Sequence, residues 1–142
     1  MSYPMKTSIS GIKLIEQFEG IKLKSYLCPA GVPTIGIGHT KGVKMGQTIT
    51  KDIALQYLAE DIKPIENVLN QYQYKLSQNQ YDALVSFLFN VGTGRLTNFH
   101  TDLKSQNYTA VAARMNKYIM GGGKVLTGLV NRRKSETELF LA

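Results

Sequence analysis

Gly31, Pro33, Gly36, Gly38, Gly42 and Gly46 interrupt the segment from Ile21 to Ile49 at intervals too short for a helix to survive. The apolar residues between them alternate in short stretches, so this region is predicted to be a small antiparallel sheet with tight turns. On both sides of it the period is helical. Ile12, Ile15 and Phe18, with Leu14 widening the stripe, predict a first helix capped by Ser10 and stopped by Gly20. Thr50 reads as the next N-cap, with Asp52 in the first turn, and Ile53, Tyr57, Leu58 and Ile62 restore helical spacing. Pro64 lacks a backbone donor and disfavours helix at Lys63, which predicts a kink or a second helix starting there.

Farther along, Ser77-Gln78-Asn79-Gln80 has the form of a capping box. The Tyr81, Leu84, Val85 and Leu88 stripe that follows is supplemented by Phe87 and Phe89, which makes this helix the expected buried centre of a helical lobe. Further helices are expected from about Asn98 to Ser105, Thr109 to Met120 and Gly128 to Leu141, with Gly121-Gly122-Gly123 as a flexible break. The pattern amounts to an α+β fold. A small N-terminal lobe of roughly residues 11–60 carries the sheet, a mainly helical C-terminal lobe covers roughly 61–142, and a cleft runs between them.

Length and composition narrow the classes of function. At 142 residues the chain can bury a sizeable core and hold one catalytic unit. Hydrophobic residues at 43% and charged residues at 19% are those of a globular protein, not a disordered one. Seventeen Lys plus Arg against ten Asp plus Glu give +7, which points to an anionic partner: nucleic acid, an acidic polymer or a membrane surface. A single cysteine excludes an intrachain disulfide, and two histidines far apart in sequence form no zinc-like cluster, so neither a metal nor another cofactor is expected. Met1 to Ser10 contains no apolar h-region, and the densest apolar window, Ala83 to Val91, is too short to span a bilayer. The expectation is a protein that stays in the cytoplasm until something releases it.

Chemistry concentrates between Glu19 and His39. A carboxylate in the last turn of a helix gains nothing from the helix dipole, so Glu19 invites a functional explanation. Cleavage of a glycosidic bond needs such an acid on one side of the sugar and a second group on the other, to activate water or attack carbon. Asp52, Glu60 and Asp61 lie on the next helix and no sequence rule sets them against Glu19. Cys28 is nearer, but an ordinary thiol, with a pKa of about 8.5, is mostly protonated at neutral pH. Thr34 offers a hydroxyl that can hold a water. His39 is either a base or a fastening between sheet and helix through a carboxylate such as Asp61. Gly36 and Gly38 form no GxGxxG motif and no P-loop follows, which disfavours nucleotide binding.

Taken together, Phe18-Glu19-Gly20, Leu23, Tyr26, Pro29-Ala30-Gly31-Val32, Thr34 to Thr40, Gly46, Asn79 to Phe87, Phe89-Asn90-Val91-Gly92 and Gly128-Leu129-x-x-Arg132-Arg133-x-x-Glu136 resemble the phage-type lysozymes, the endolysins of glycoside hydrolase family 24. The resemblance extends from about Gly11 to Leu139. It implies a lysozyme-like fold and hydrolysis of the β-1,4 bond between N-acetylmuramic acid and N-acetylglucosamine in bacterial peptidoglycan. By position, Glu19 resembles the family's proton donor and Thr34 its active-site threonine, while Cys28 stands where many members carry aspartate. Either Thr34 and Cys28 position a water, with inversion, or the Cys28 thiolate attacks carbon, with retention. His39 and Asn90 are the candidate substrate contacts. Arg132 and Arg133, with Lys124 and Lys134, are expected to form a basic C-terminal surface suited to an anionic outer membrane or wall polymer.

The same resemblance implies a monomer released to the periplasm by a holin. Two other classes remain open at this level. One is a lytic transglycosylase, which leaves an anhydro end; the other is a non-catalytic cationic module binding wall or nucleic acid. The chain lacks the aromatic-interleaved basic stripe of single-strand binders, which places nucleic acid last.

Overall fold

A computed structural model of the chain describes residues 4–142; Met1, Ser2 and Tyr3, part of the N-terminal stretch considered above, lie outside it. The chain runs α1 (Ile9–Glu19), β1 (Lys22–Leu27), β2 (Pro33–Gly36), α2 (Lys51–Tyr72), α3 (Gln78–Val91), a 3-10 helix (Thr93–Phe99), α4 (His100–Lys104), α5 (Tyr108–Met115), β3 (Met120–Gly121), β4 (Lys124–Val125) and α6 (Thr127–Leu141). It divides into two compact units: Ile15–Pro64, and the residues up to Leu14 with Ile65–Ala142.

The Ile15–Pro64 unit holds the sheet expected from the glycine pattern. Strands β1 and β2 pair antiparallel, with Tyr26 opposite Thr34 and Leu27 opposite Pro33. The turn between them closes through Cys28 N–H to the Val32 carbonyl at 3.0 Å and Gly31 N–H to the Cys28 carbonyl at 2.8 Å. Thr48 bridges Lys24 on the other side of β1. Ile35 and His39 then exchange both backbone hydrogen bonds around the three-residue bend of Gly36, Ile37 and Gly38. Gly36 has φ +67°, and a Cβ there would press to 3.3 Å from the Ala54 side chain of α2. The bend is therefore a close backbone approach to a helix that glycine alone permits. Ile15, Ile35, Ile37, Ala54, Leu58 and Ile62 make the buried apolar set.

Two local expectations need correction here. Ser10 does not cap α1: the helix begins at Ile9, and Ser8 supplies the carbonyl that Ile12 N–H reaches at 3.0 Å. Ser8 stands at the start because its own N–H, at 2.9 Å, and its hydroxyl both bond the carboxylate of Asp82, buried on α3. Of the two alternatives at Pro64, no second helix starts there; the proline lies inside α2, whose 22 residues run Lys51–Tyr72. Pro64 is exposed, while Ile62, Ile65 and Leu69 keep the buried stripe in phase past it. That burial offsets the hydrogen bond that proline cannot make. The predicted caps at Thr50 and Ser77 are present, the latter as a complete capping box with Gln80.

The helical unit is built around α3, on which every residue from Tyr81 to Leu88 is buried. The helix expected near Asn98 to Ser105 is in fact two pieces, the 3-10 turn and α4. That expected from Thr109 to Met120 is α5, which ends at Met115. Gly121 to Gly123 is not a flexible break. It forms a hairpin pairing Met120 with Val125 and Gly121 with Lys124, turned by Gly122 and Gly123 at φ +59° and +79°. A two-residue hairpin turn needs two left-handed residues in succession, and adjacent glycines supply them.

The largest correction concerns charge. Arg132 and Arg133 are not surface residues; they are 3% and 1% exposed, and Glu136 is 0% exposed. Glu136 accepts from the Ser86 hydroxyl at 2.6 Å and from Arg132 Nε at 3.1 Å, and its other oxygen holds Arg133. Arg132 also donates to the Ser86 carbonyl and Arg133 to the Tyr118 carbonyl, both at 2.9 Å, while the Arg133 guanidinium lies over the Phe87 ring. Five fixed donors per guanidinium suit such a cage, which lysine could not fill. The basic helix surface expected for contact with an outer membrane thus loses both arginines and keeps Lys124 and Lys134 at its exterior. Glu136→Ala leaves two buried cations short of their shared anion and should destabilise the fold by about 3–5 kcal/mol in denaturant titration. Lys134→Ala, at an exposed site, should change stability by less than about 0.5 kcal/mol.

Candidate active site

Glu19 is the last residue of α1. Gly20 ends the helix at φ +71° with its N–H on the Glu16 carbonyl at 2.8 Å, and β1 begins two residues later. Glu19 therefore sits, half-buried, where helix gives way to sheet. Along β1 and past its end, side chains alternate between faces, so Cys28 shares the face of Tyr26. Residues directly opposite on paired strands also share a face, so Thr34 joins them.

Electrostatics tie this group together. The Tyr26 phenol is held above its ordinary value, first by burial and then by the negative charges of Glu19 and Cys28. Both groups thus act on one phenol. The Cys28 thiol lies below its ordinary value because of a hydrogen bond from the Val32 backbone, aided by the Ala30 backbone and the Thr34 hydroxyl, with burial opposing. The buried Thr34 hydroxyl donates to the Val32 carbonyl at 2.9 Å. A hydroxyl has one proton, so Thr34 cannot serve Val32 and Cys28 at once. While its proton rests on Val32, its oxygen is available only as an acceptor; turned toward the sulfur, it stabilises the thiolate.

The remaining sequence candidates divide. His39 is buried, with Nδ1 2.8 Å from Asp61 Oδ2 and its ring stacked on Tyr57 at 4.2 Å between centroids. This is the fastening between sheet and helix that Asp61 was expected to provide. Asp52 and Glu60 are exposed on α2. Asn90 belongs to the helical unit, where its Oδ1 accepts from Arg133. Tyr26 is the member of the site that sequence reasoning passed over, although its place two residues before Cys28 in an alternating strand was a usable signal. A cavity of about 760 Å³ in the helical unit is lined by none of these residues. Among the described residues no group of three or more His, Cys, Asp or Glu is placed to hold a metal, and no helix is long and apolar enough to cross a membrane.

Alkylation of Cys28 by iodoacetamide reports the thiolate directly. Its midpoint should fall below that of a free cysteine thiol measured alongside, since a lowered pKa preserves reactivity at lower pH, and Thr34→Val should move it upward. A midpoint at or above that of the free thiol contradicts this electrostatic description.

Comparison with known proteins places this arrangement in context. The family described as phage lysozyme matches residues 16–136. The endolysin of Acyrthosiphon pisum secondary endosymbiont phage 1 is 40% identical over 144 positions, covering 96% of this chain and 98% of that protein. The endolysin of Salmonella phage P22 is 35% identical, covering 97% and 99%. Among solved structures, the endolysin from Escherichia coli O157:H7 phage FAHEc1 superposes with a TM-score of 0.90 at 34% identity, covering 99% of this chain and 96% of that one.

Proposed function

The chain belongs to the phage lysozyme family, as an endolysin with the lysozyme-like α+β fold and muramidase activity, and we propose that Glu19 is its general acid while Thr34 and Cys28 position the attacking water. The observation that carries this assignment is the grouping of Glu19 and Cys28 around the Tyr26 phenol, with Thr34 directly across the strand pair. Glu19 gives its proton to the oxygen bridging N-acetylmuramic acid and N-acetylglucosamine as the bond to the anomeric carbon breaks. Water, held by its hydrogens on the Thr34 oxygen and the Cys28 sulfur, presents a lone pair to that carbon, and the proton it sheds as the new bond forms passes to solvent. Attack from the face opposite the departing sugar inverts the centre.

The depressed thiol supports a second route, in which the Cys28 thiolate itself attacks the anomeric carbon and water later releases the sugar with retention. His39, committed to Asp61 and Tyr57, acts by holding the Gly36–Gly38 bend on α2. Asn90, with its carbonyl oxygen engaged by Arg133, offers the substrate only its amide N–H groups.

Product analysis on purified peptidoglycan separates the routes. Glu19→Gln should lower turnover by about 100-fold or more while the fold persists, and near-normal activity would refute the acid assignment. Cys28→Ser should keep substantial activity if sulfur only places water. Loss of activity with a sugar–thioether adduct in the wild type selects the covalent route.

Endolysins act on the cell wall after release, and a holin's pore is the route we propose for this one. Expression of the chain alone in a Gram-negative host should leave cells intact until a pore-former is supplied; rapid lysis without one would overturn that route.

A further inference from the structure

Three cavities in the helical unit, of about 760, 220 and 160 Å³, all have Tyr74 in their walls. Tyr74 is nearly buried and stacks on Tyr72 with 5.4 Å between centroids; His100 meets both rings edge-on, and its Nδ1 is 2.6 Å from the Tyr74 hydroxyl. Burial, then Tyr72, pushes the Tyr74 phenol up to about 12, so it stays neutral. This pile is rigid and presents the Tyr72 ring, 38% exposed, at the surface. Beside it lie the amide side chains of Gln73 and Gln106 and the exposed ammonium groups of Lys75 and Lys104. No aspartate or glutamate lines any of the three cavities.

Each element selects a chemistry. An aromatic face accepts the apolar face of a sugar ring, amides pair with hydroxyl and acetamido groups, and exposed lysines attract carboxylates. We propose that this face is a second binding site for a peptidoglycan strand, recognising N-acetylated sugars with carboxylate-bearing substituents. The proposal rests on the muramidase activity but shares no residue with the Glu19 group. On a polymeric substrate a second attachment raises the effective concentration of enzyme at the wall without any change in the chemistry.

The test uses the full chain carrying Glu19→Gln, which removes turnover and lets co-sedimentation with purified sacculi measure binding alone. Adding Tyr72→Ala, Lys75→Ala and Lys104→Ala should raise the Kd about tenfold, the scale on which a lost attachment lowers avidity. Amidating the sacculus carboxylates should weaken the parent and spare the triple variant. Tyr72→Phe, which keeps the ring, should bind as the parent does and guards against a folding defect in the alanine variant. An unchanged Kd in a triple variant that retains the parent's Tm overturns the site. An equal loss of binding to poly-glutamate beads overturns its saccharide specificity, leaving charge attraction alone. Near-normal hydrolysis by Glu19→Gln sinks the catalytic assignment instead, a failure visible separately from the binding result.

Discussion

The pairing of Tyr26 with Thr34 is the constraint on which the site depends. Side chains in a strand alternate with a period of two, so a slip of one residue would send Thr34 to the opposite face from Tyr26 and Cys28. The register is held at both ends of β2. The Gly31 turn closes Cys28 onto Val32 on one side, and the Gly36–Gly38 bend is pressed against Ala54 and fastened by His39 on the other. A hairpin of four-residue and six-residue strands is marginal by itself. Its packing on α2 supplies the stability that the ladder lacks, and so determines how firmly Tyr26, Cys28 and Thr34 are placed.

Charge is handled in opposite ways in the two units. In Ile15–Pro64, burial and the charges of Glu19 and Cys28 raise the Tyr26 phenol, while hydrogen bonds from the Val32 and Ala30 backbone and the Thr34 hydroxyl lower the Cys28 thiol, a setting that suits groups that exchange protons. In the helical unit, Arg132, Arg133 and Glu136 are sealed from water and satisfied by Ser86, Asn90 and Tyr118, which suits groups that never change state. Burial withdraws two cations, Arg132 and Arg133, and two anions, Asp82 and Glu136, so the net charge of +7 stays with the surface.

Much of the architecture was legible from local signals. The Gly20 stop, the Ser77 capping box, the Thr50 cap and the glycine-broken sheet are decided within a few residues, and each is present. Where a local rule failed, a distant partner had overridden it: Asp82 drew Ser8, not Ser10, to the start of α1. At Pro64 the local rule left a kink and a new helix open, and a continuous buried stripe decided against the new helix. The three-glycine run was misread because composition cannot separate a flexible break from a hairpin that needs left-handed backbone.

The sequence by itself determined the glycine-broken sheet, the helix ends at Gly20, Thr50 and Ser77, and which carboxylate, thiol and hydroxyl fall within one helix-hairpin unit. Capping, turn chemistry and side-chain alternation act along the chain at short range. Tertiary structure alone decided that Arg133 is buried against Asn90, 43 residues away, that Ser86 meets Glu136 across 50, and that Tyr72, Tyr74 and His100 stack into one surface. Those partnerships follow from which apolar faces pack together. Packing is a property of the whole assembled core, and no window of neighbouring residues contains it.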